Sequence, residues 1–282
     1  MFNLSVRNAK GEILDLTNDR RYDLYNIDGL NPTPATLNFS QLANYDGSIY
    51  NSGQLGNRNI VLYIKIHNDA ESNRINLYKY FQLKKMIRIF YENNTRSVYI
   101  DGYVETFETE YFSMNEVVQI SIICPNPYWK ADEETQIDFS NTIDLFEFPF
   151  SIPEEGIEFS RIEYITTAYI NNGEIETGMT IEFRANASQI LNPKFINRTT
   201  QEYFSLNFDM NYGDIIRINT RRGEKSVVLI RDGVETNIIN DMQTGSKWVH
   251  LAPGLNELSY ECDEGQANLT VYVFATKCYE GV

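Results

Sequence analysis

RNIVLYIKIHNDAESNRINLYKYFQLKKMIRIFYENNTRSVYIDGYVETFETEYFSMNEVVQISIICPNPYW, residues 58–129, reads as one complete structural unit and decides the fold class. Ile60, Leu62, Ile64 and Ile66 alternate with Val61, Tyr63 and Lys65, the two-residue period of a strand packed on both faces. The period then changes. Asn68 is a candidate N-cap with Glu71 as its capping-box partner, and Ile75, Tyr78 and Phe81 follow at three-residue spacing with Leu77 beside them. That spacing predicts one amphipathic helix of about four turns, ending near Lys84 and Lys85, cations well placed at a helix C-terminus. Alternation resumes over 86–91, Asn93-Asn94 turns the chain, and strands are predicted over 97–101, 103–111 and 117–124. Cys124-Pro125-Asn126-Pro127-Tyr128-Trp129 stops the sheet, because proline removes ladder donors.

Upstream, 2–6 and 12–16 alternate around Asn8-Ala9-Lys10-Gly11 as a hairpin, and 22–27 form a third strand ended by Asp28-Gly29. Residues 31–57 are rich in turn formers and weak in periodicity, yet they carry Leu37, Phe39, Leu42, Tyr45, Ile49 and Tyr50. Structureless loops beyond about 15 residues are uncommon inside compact domains and tend to be functional. Apolar residues on such a segment need a surface to cover. That surface is either a neighbouring subunit, with the segment as an arm or belt, or the chain's own barrel.

From Ala131 to Glu158 there are nine acidic residues and no basic one, the composition shift of a domain boundary. Ile137, Phe139, Leu145, Phe146, Phe148 and Phe150 are too apolar for a linker, so the reading is a short connection at 130–134 and then strands of a second domain. There, Asn171-Asn172-Gly173 predicts a hairpin between 162–170 and 175–184. Further pairs are predicted for 190–196 with 203–208 and for 215–220 with 226–230, followed by a turn at Asp232-Gly233 and strands over 247–251, 257–262 and 269–275. Short strands at about ten-residue spacing without a helix predict a β-sandwich of jelly-roll or lectin-like type. The fold class is all-β: residues 1–130 form an antiparallel β-barrel-like domain with one inserted helix, and residues 131–282 an acidic sandwich.

Charge divides at the same place. Through Lys130 there are 13 Lys or Arg against 14 Asp or Glu, and beyond it 11 against 25, of a total of −15. The acidic half would repel nucleic acid and anionic membrane, so no membrane partner and no sequence-specific nucleic acid are expected. No stretch approaches the roughly 20 apolar residues of a membrane span, and the opening lacks a signal-peptide core; a soluble product made in a cytoplasm is expected. Cys124, Cys262 and Cys278 are too few for a disulfide framework and read as free thiols. His67 and His250 have no metal-ligand spacing with them, and phosphate loops are absent, so neither metal nor cofactor is expected. Glu108 and Glu110, on one strand face with Glu105 on the other, could serve a glycosidase, but solvated acidic faces are common and no enzyme is expected.

Asp28-Gly29-Leu30, Asp46-Gly47-Ser48, Arg58-Asn59-Ile60, the helix from Asn73-Arg74 to Tyr80-Phe81, Gly102-Tyr103-Val104-Glu105 and Cys124-Pro125-Asn126-Pro127-Tyr128-Trp129 together resemble the distal tail protein family of long-tailed, non-contractile bacteriophages. In the second half Gly213-Asp214-Ile215-Ile216, Ser226-Val227-Val228-Leu229-Ile230, Leu251-Ala252-Pro253-Gly254-Leu255-Asn256 and Tyr279-Glu280-Gly281-Val282 resemble its motifs as well. The resemblance implies a galectin-like second domain and a structural role at the virion tail tip, with the first domain forming a homo-hexameric ring, some of them back to back. It implies as partners the tail-tube protein, the tape-measure protein and tail-tip or receptor-binding proteins, with DNA only passing through the channel. Leu37, Phe39, Leu42, Tyr45, Ile49, Tyr50, Tyr78 and Phe81 are the candidate subunit contacts. The alternative is a carbohydrate-binding, lectin-like module, for which Asn207, Arg217, Asn219 and Trp248 are candidate sugar contacts by residue type, although tryptophan on a strand is more often core.

Overall fold

A computed structural model describes residues 2–43, 46–111, 116–139, 142–144, 160–162 and 166–282. The chain divides into two units, Met1–Asp132 with Cys278–Val282, and Glu133–Lys277. Both are antiparallel β structures, and the chain is all-β apart from one α-helix and short 3-10 turns among the described residues.

The first unit contains β1 (Asn3–Arg7), β2 (Ile13–Asp15), β3 (Tyr22–Asp28), β4 (Ala35–Gln41), β5 (Ser48–Leu55), β6 (Arg58–Ile66), α1 (Ala70–Tyr80), β7 (Met86–Glu92), β8 (Ser97–Thr109), β9 (Val117–Cys124) and β10 (Trp129–Ala131). Its main sheet runs β2-β1-β7-β8-β9-β6-β3. Leu14 and Leu16 at one end of that path share a core with Tyr22 at the other, so the sheet curls over one interior filled by Ile60, Leu62, Ile64, Ile89, Ile100, Ile120 and Trp129. The alternation read in β6 is the burial pattern observed, with the isoleucines and Leu62 inward.

Three local predictions need correction. The expected break between 101 and 103 is absent, since β8 runs through Gly102. A Cβ there would stand 2.7 Å from Ile122 Cγ2 and 2.8 Å from Cys124 Sγ, so this glycine serves close approach of β9 and makes no turn. Second, α1 spans 11 residues, and the Asn68–Glu71 capping box does not form because Asn68 and Asp69 hold positive φ before the helix. Asn73 does the closing: its side chain donates to the carbonyls of His67 (3.0 Å) and Asn68 (3.1 Å), and its own carbonyl accepts the Tyr22 hydroxyl (3.0 Å). The buried helix face is therefore Asn73 and Leu77, continued by Phe81, whereas Ile75 and Tyr78 point to solvent. Third, residues 31–57 are not irregular. They contain the hairpin β4–β5, paired from Ala35↔Leu55 to Gln41↔Ser48 with a bulge after Asn38.

The second unit contains β11 (Thr135–Asp138), β12 (Thr142–Asp144), β13 (Ser160–Ile162), β14 (Thr167–Asn171), β15 (Thr177–Ala185), β16 (Ile190–Leu191), β17 (Lys194–Asn197), β18 (Glu202–Ser205), β19 (Asp209–Met210), β20 (Ile215–Asn219), β21 (Ser226–Arg231), β22 (Val234–Asn237), β23 (His250–Leu251), β24 (Gly254–Glu261) and β25 (Leu269–Ala275). One sheet runs β11-β25-β15-β20-β21-β22 and another β14-β24-β17-β18. Phe183, Ile216 and Val271 from the first meet Phe195, Leu258 and Tyr260 from the second in one core, which makes this unit a β-sandwich. The acidic segment's Leu145, Phe146, Phe148 and Phe150 lie outside the described residues.

Asp232-Gly233 closes β21–β22 with both residues at positive φ, as a two-residue hairpin requires. Asn171-Asn172-Gly173 does not close a hairpin: β14 pairs with β24, and β15 with β20, β23 and β25. Asn171 is 2% exposed. Its Oδ1 accepts the Gly173 N–H (2.9 Å) and its Nδ2 donates to the Ile175 and Leu251 carbonyls (3.2 Å each), so the turn carries the chain between sheets. The last strand, β26 (Cys278–Tyr279), returns to the first unit and pairs with β10.

Candidate functional site

Among the described residues the hairpin β4–β5 hydrogen-bonds to no other strand, and none of its described side chains is buried. Its pairing sorts the side chains onto two faces. Phe39 and Tyr50 are cross-strand partners with rings 6.0 Å apart, edge to face, and Leu37 opposes Gly53 beside them. Gly53 leaves a notch occupied by the Tyr50 hydroxyl and Leu37 Cδ2, 2.8 and 3.0 Å from where its Cβ would stand. On the other face Asn38 donates to Ser52 (3.0 Å) and Asn51 to Ser40 (2.6 Å). The ribbon thus gathers Leu37, Phe39 and Tyr50 on one side and amide and hydroxyl groups on the other, where Ile49 opposes Ser40, and Asp46 is the one formal charge in residues 35–55.

Leu37, Phe39, Ile49 and Tyr50 are each half exposed or more, and Leu42 nearly so. Tyr45 lies outside the described residues. On the helix, Tyr78 is exposed and packs edge to face against Phe107, with ring centroids 4.7 Å apart. Phe81, 2% exposed, packs inside the first core because it extends the Leu77 face, so it offers no surface to a second subunit. Glu108 and Glu110 are exposed, and Glu105 accepts the Ser121 hydroxyl (3.0 Å).

The hairpin's two ends are fastened by Arg58, which follows its second strand. Arg58 is 2% exposed and donates to the carbonyls of Gly29 (2.5 Å), Asn31 (2.6 Å), Pro127 (2.6 Å) and Glu280. Burial lowers its pKa, and no carboxylate pairs with it among the described residues. Arg96 holds the neighbouring Gly281 carbonyl. The sequence signal was the resemblance of Asp28-Gly29-Leu30 and Arg58-Asn59-Ile60 to a family pattern; nothing in the residues said that they meet.

In the second unit Arg217 and Asn219 share the outer face of the sheet β11-β25-β15-β20-β21-β22. Asn207 sits elsewhere, in the loop after β18, with its backbone N–H on the Asp241 carbonyl (2.8 Å). Trp248 is half-buried against the core, 5.3 Å from Phe204, with Lys225 over its ring. Two residues missed in the sequence join Arg217. Glu182 Oε1 accepts from Arg217 Nε (3.0 Å), and its Oε2 accepts from Arg184 Nη2 (2.6 Å) and Nε (3.2 Å). The Glu-x-Arg spacing on a strand was the available signal, since residues two apart share a face.

Burial alone would raise the Glu182 carboxyl; the hydrogen bonds from Arg184 and Arg217 outweigh it and hold it below its usual 4.5. Asp214 follows the same pattern, burial opposed by the Arg231 fork and the Asn211 N–H, and is also lowered. Groups depressed on folding stabilise above the ordinary carboxylate range and lose that contribution as pH falls through the depressed value. The second unit is therefore expected to melt progressively lower as the pH falls below about 4, with Glu182→Gln flattening the dependence. A Tm unchanged between neutral pH and acid, followed by Trp248 fluorescence, would contradict this.

Residues 172–274 match the siphovirus-type tail component family, C-terminal domain. Among solved structures, the Dit protein of phage SPP1, described as a paradigm of the hub adsorption apparatus in phages infecting Gram-positive hosts, aligns at TM-score 0.69 and 14% identity over 99% of each chain. A chain of the phage P2 baseplate, in its activated conformation with calcium, aligns at 0.56 and 13% over 100% of each, and one from the strontium-bound form gives the same values. No curated protein matches the sequence. At these identities the likeness to the solved structures is one of fold.

Proposed function

We infer that this chain is a hub component of a siphophage tail, a structural part of the distal tail and baseplate with no chemical step. The C-terminal family match and a hub-type fold along the whole chain support that reading. The finer proposal is that six copies form a ring through the first unit, joining the tail tube to the tip and leaving a channel for tape measure and DNA. Tail-tube, tape-measure and receptor-binding proteins are its partners, and the virion tail tip its location.

The observation that carries the ring is the hairpin. A two-stranded ribbon alone in water is marginal at best. This one exposes an apolar face of Leu37, Phe39 and Tyr50 that the described residues of its own chain do not cover. A neighbouring copy supplies the missing surface, and a head-to-tail contact of this kind closes into a ring when the rotation allows. With almost no charge in the ribbon, the contact is dry and insensitive to salt.

Light scattering across concentration tests this on the full chain and on a chain lacking 133–277. Cutting after Lys130 instead would also remove β26 and the carbonyls held by Arg58 and Arg96, whereas Lys130 and Cys278 are cross-strand partners that a short turn can join. Six-copy mass in both proteins, falling to one copy in the Phe39→Asp, Tyr50→Asp double variant, is the expected result. Unchanged mass in the double variant would overturn the hairpin's role, and a monomer at every concentration would overturn self-assembly through the first unit.

A further inference from the structure

The first unit is not one continuous stretch of chain. Its last piece, Cys278–Val282, follows the whole of Glu133–Lys277 in sequence. That piece closes on the base of the hairpin β4–β5. Trp129↔Tyr279 and Lys130↔Cys278 pair β26 with β10. Arg96 lies over the Tyr279 ring at 4.3 Å and donates to the Gly281 carbonyl, while Arg58 donates to that of Glu280. The Val282 N–H then donates to the Leu30 carbonyl (3.3 Å), and a Cβ on Gly281 would stand 3.0 Å from Pro32 Cδ and 3.3 Å from the Leu30 oxygen. Leu30, Tyr279 and Val282 all pack against the first core. Residues 29–32 are thus held twice, by Arg58 on the Gly29 and Asn31 carbonyls and by 281–282 on Leu30 and Pro32.

Those residues are the hairpin's stiff end. Pro32 and Pro34 restrict φ to about −65° on either side of Thr33, so the direction of the chain at Leu30 carries through to β4 at Ala35. The exit is looser, since Gly56 has nothing within 4 Å of where a Cβ would stand. Among the described residues no other strand pairs with the ribbon, so its direction is set at this base. A ribbon free to swing must give up that freedom when it docks, and one already held gives up less. The apparent affinity of the docked contact falls in proportion to the fraction of chains whose ribbon points the right way.

Order of synthesis gives this arrangement a use. The hairpin leaves the ribosome before Glu133–Lys277 is made, and at about 5–20 residues per second that stretch takes roughly 7–30 s more. Throughout that interval an apolar ribbon is exposed on nascent chains that share a transcript, where premature association leads to misassembly. We propose that residues 278–282 are an assembly strap: closing last, they fix the direction of the hairpin and so license it to join a second copy. The proposal rests on the reading that the hairpin joins copies, and it adds the segment that switches the contact on. Before the strap closes, Arg58 keeps the hairpin attached through Gly29 and Asn31 but the Leu30–Pro32 segment is free to turn.

Two variants of the full chain test this. Gly281→Leu leaves both arginines in place and drives a side chain against Leu30 and Pro32, at a residue whose φ is not positive and so accepts one. The Arg96→Gln, Tyr279→Ala double variant loosens the strap without adding bulk. Spin labels at Gln41→Cys and Lys10→Cys, in a Cys262→Ser background and diluted with unlabelled chain, report the hairpin's direction as a distance distribution by double electron–electron resonance. Light scattering reports the mass, and melting followed by Trp129 fluorescence in a Trp248→Phe background controls for folding of the first unit. In both variants the distribution is expected to broaden and the dissociation constant between copies to rise by about tenfold, the effect of cutting the competent fraction to about one tenth. A distribution as narrow as the parent's in both variants overturns the strap's hold on the hairpin, and a broadened one with unchanged mass overturns its licensing role. A parent that is monomeric at every concentration overturns the assembly reading instead, and the distance distribution still reports whether the strap directs the hairpin.

Discussion

Replacing Arg58 by Met is expected to destabilise the first unit by about 3–5 kcal/mol, a large part of the stability of a domain of this size. The guanidinium is a buried cation whose charge is met by carbonyl dipoles and by the Trp129 ring 5.9 Å away. Four of its five N–H groups are used, one each on Gly29, Asn31, Pro127 and Glu280. Met fills comparable space and removes the desolvated charge, which favours the variant. It also orphans four carbonyls, each costing about 1–3 kcal/mol when buried, and water entering the gap recovers part of that. The balance is a substantial loss. Arg58→Lys keeps the charge but has no planar fork, so one ammonium cannot span carbonyls from three chain segments. It is expected to recover less than half. Each unit holds one tryptophan, so urea unfolding followed by Trp129 fluorescence in a Trp248→Phe background isolates the first unit. A midpoint within error of the parent would show that the carbonyls find other donors. Because those carbonyls lie at the hairpin's entry and on the returning strand, the same variant is expected to lose the assembled mass without a change in the hairpin itself.

Elements with one face in their own chain's core were legible. β6, β7 and β9 showed their alternation because each buries every second residue, and the β20–β21 and β21–β22 turns carried the required residues. The resemblance to distal tail proteins is borne out by the family match at 172–274 and by the fold along the chain. What stayed illegible has a common cause. The hairpin β4–β5 buries neither face among the described residues, so the strand period was weak there and the turn formers dominated the reading. On α1, Ile75 and Tyr78 suggested a buried face on hydrophobicity alone, while Asn73 took the inward position because the His67 and Asn68 carbonyls needed its side-chain amide. Arg217 and Asn219 were found by type, but Glu182 and Arg184 were not, since an ion network across strands depends on register.

Gly29→Ala should cost more than about 3 kcal/mol, far beyond the usual price of a left-handed alanine. Gly29 has φ +90, and a Cβ would stand 2.1 Å from the Asn59 carbonyl oxygen, 3.0 Å from its carbon and 3.1 Å from Ile60 Cα. All three are backbone atoms at the start of β6, which is paired on both sides, so β6 cannot yield. The turn must move instead, and that pulls the Gly29 carbonyl off Arg58. Gly11→Ala is the control: φ is +87 but nothing lies within 4 Å of its Cβ, leaving only the conformational cost of about 1 kcal/mol. The difference between the two variants measures close approach alone. Because Gly29→Ala and Arg58→Met disrupt one shared hydrogen bond, their combined effect is expected to fall short of the sum by at least about 0.5 kcal/mol. Strict additivity in that double-mutant cycle would mean that the turn shifts without releasing the arginine, and that hairpin entry and exit are held independently.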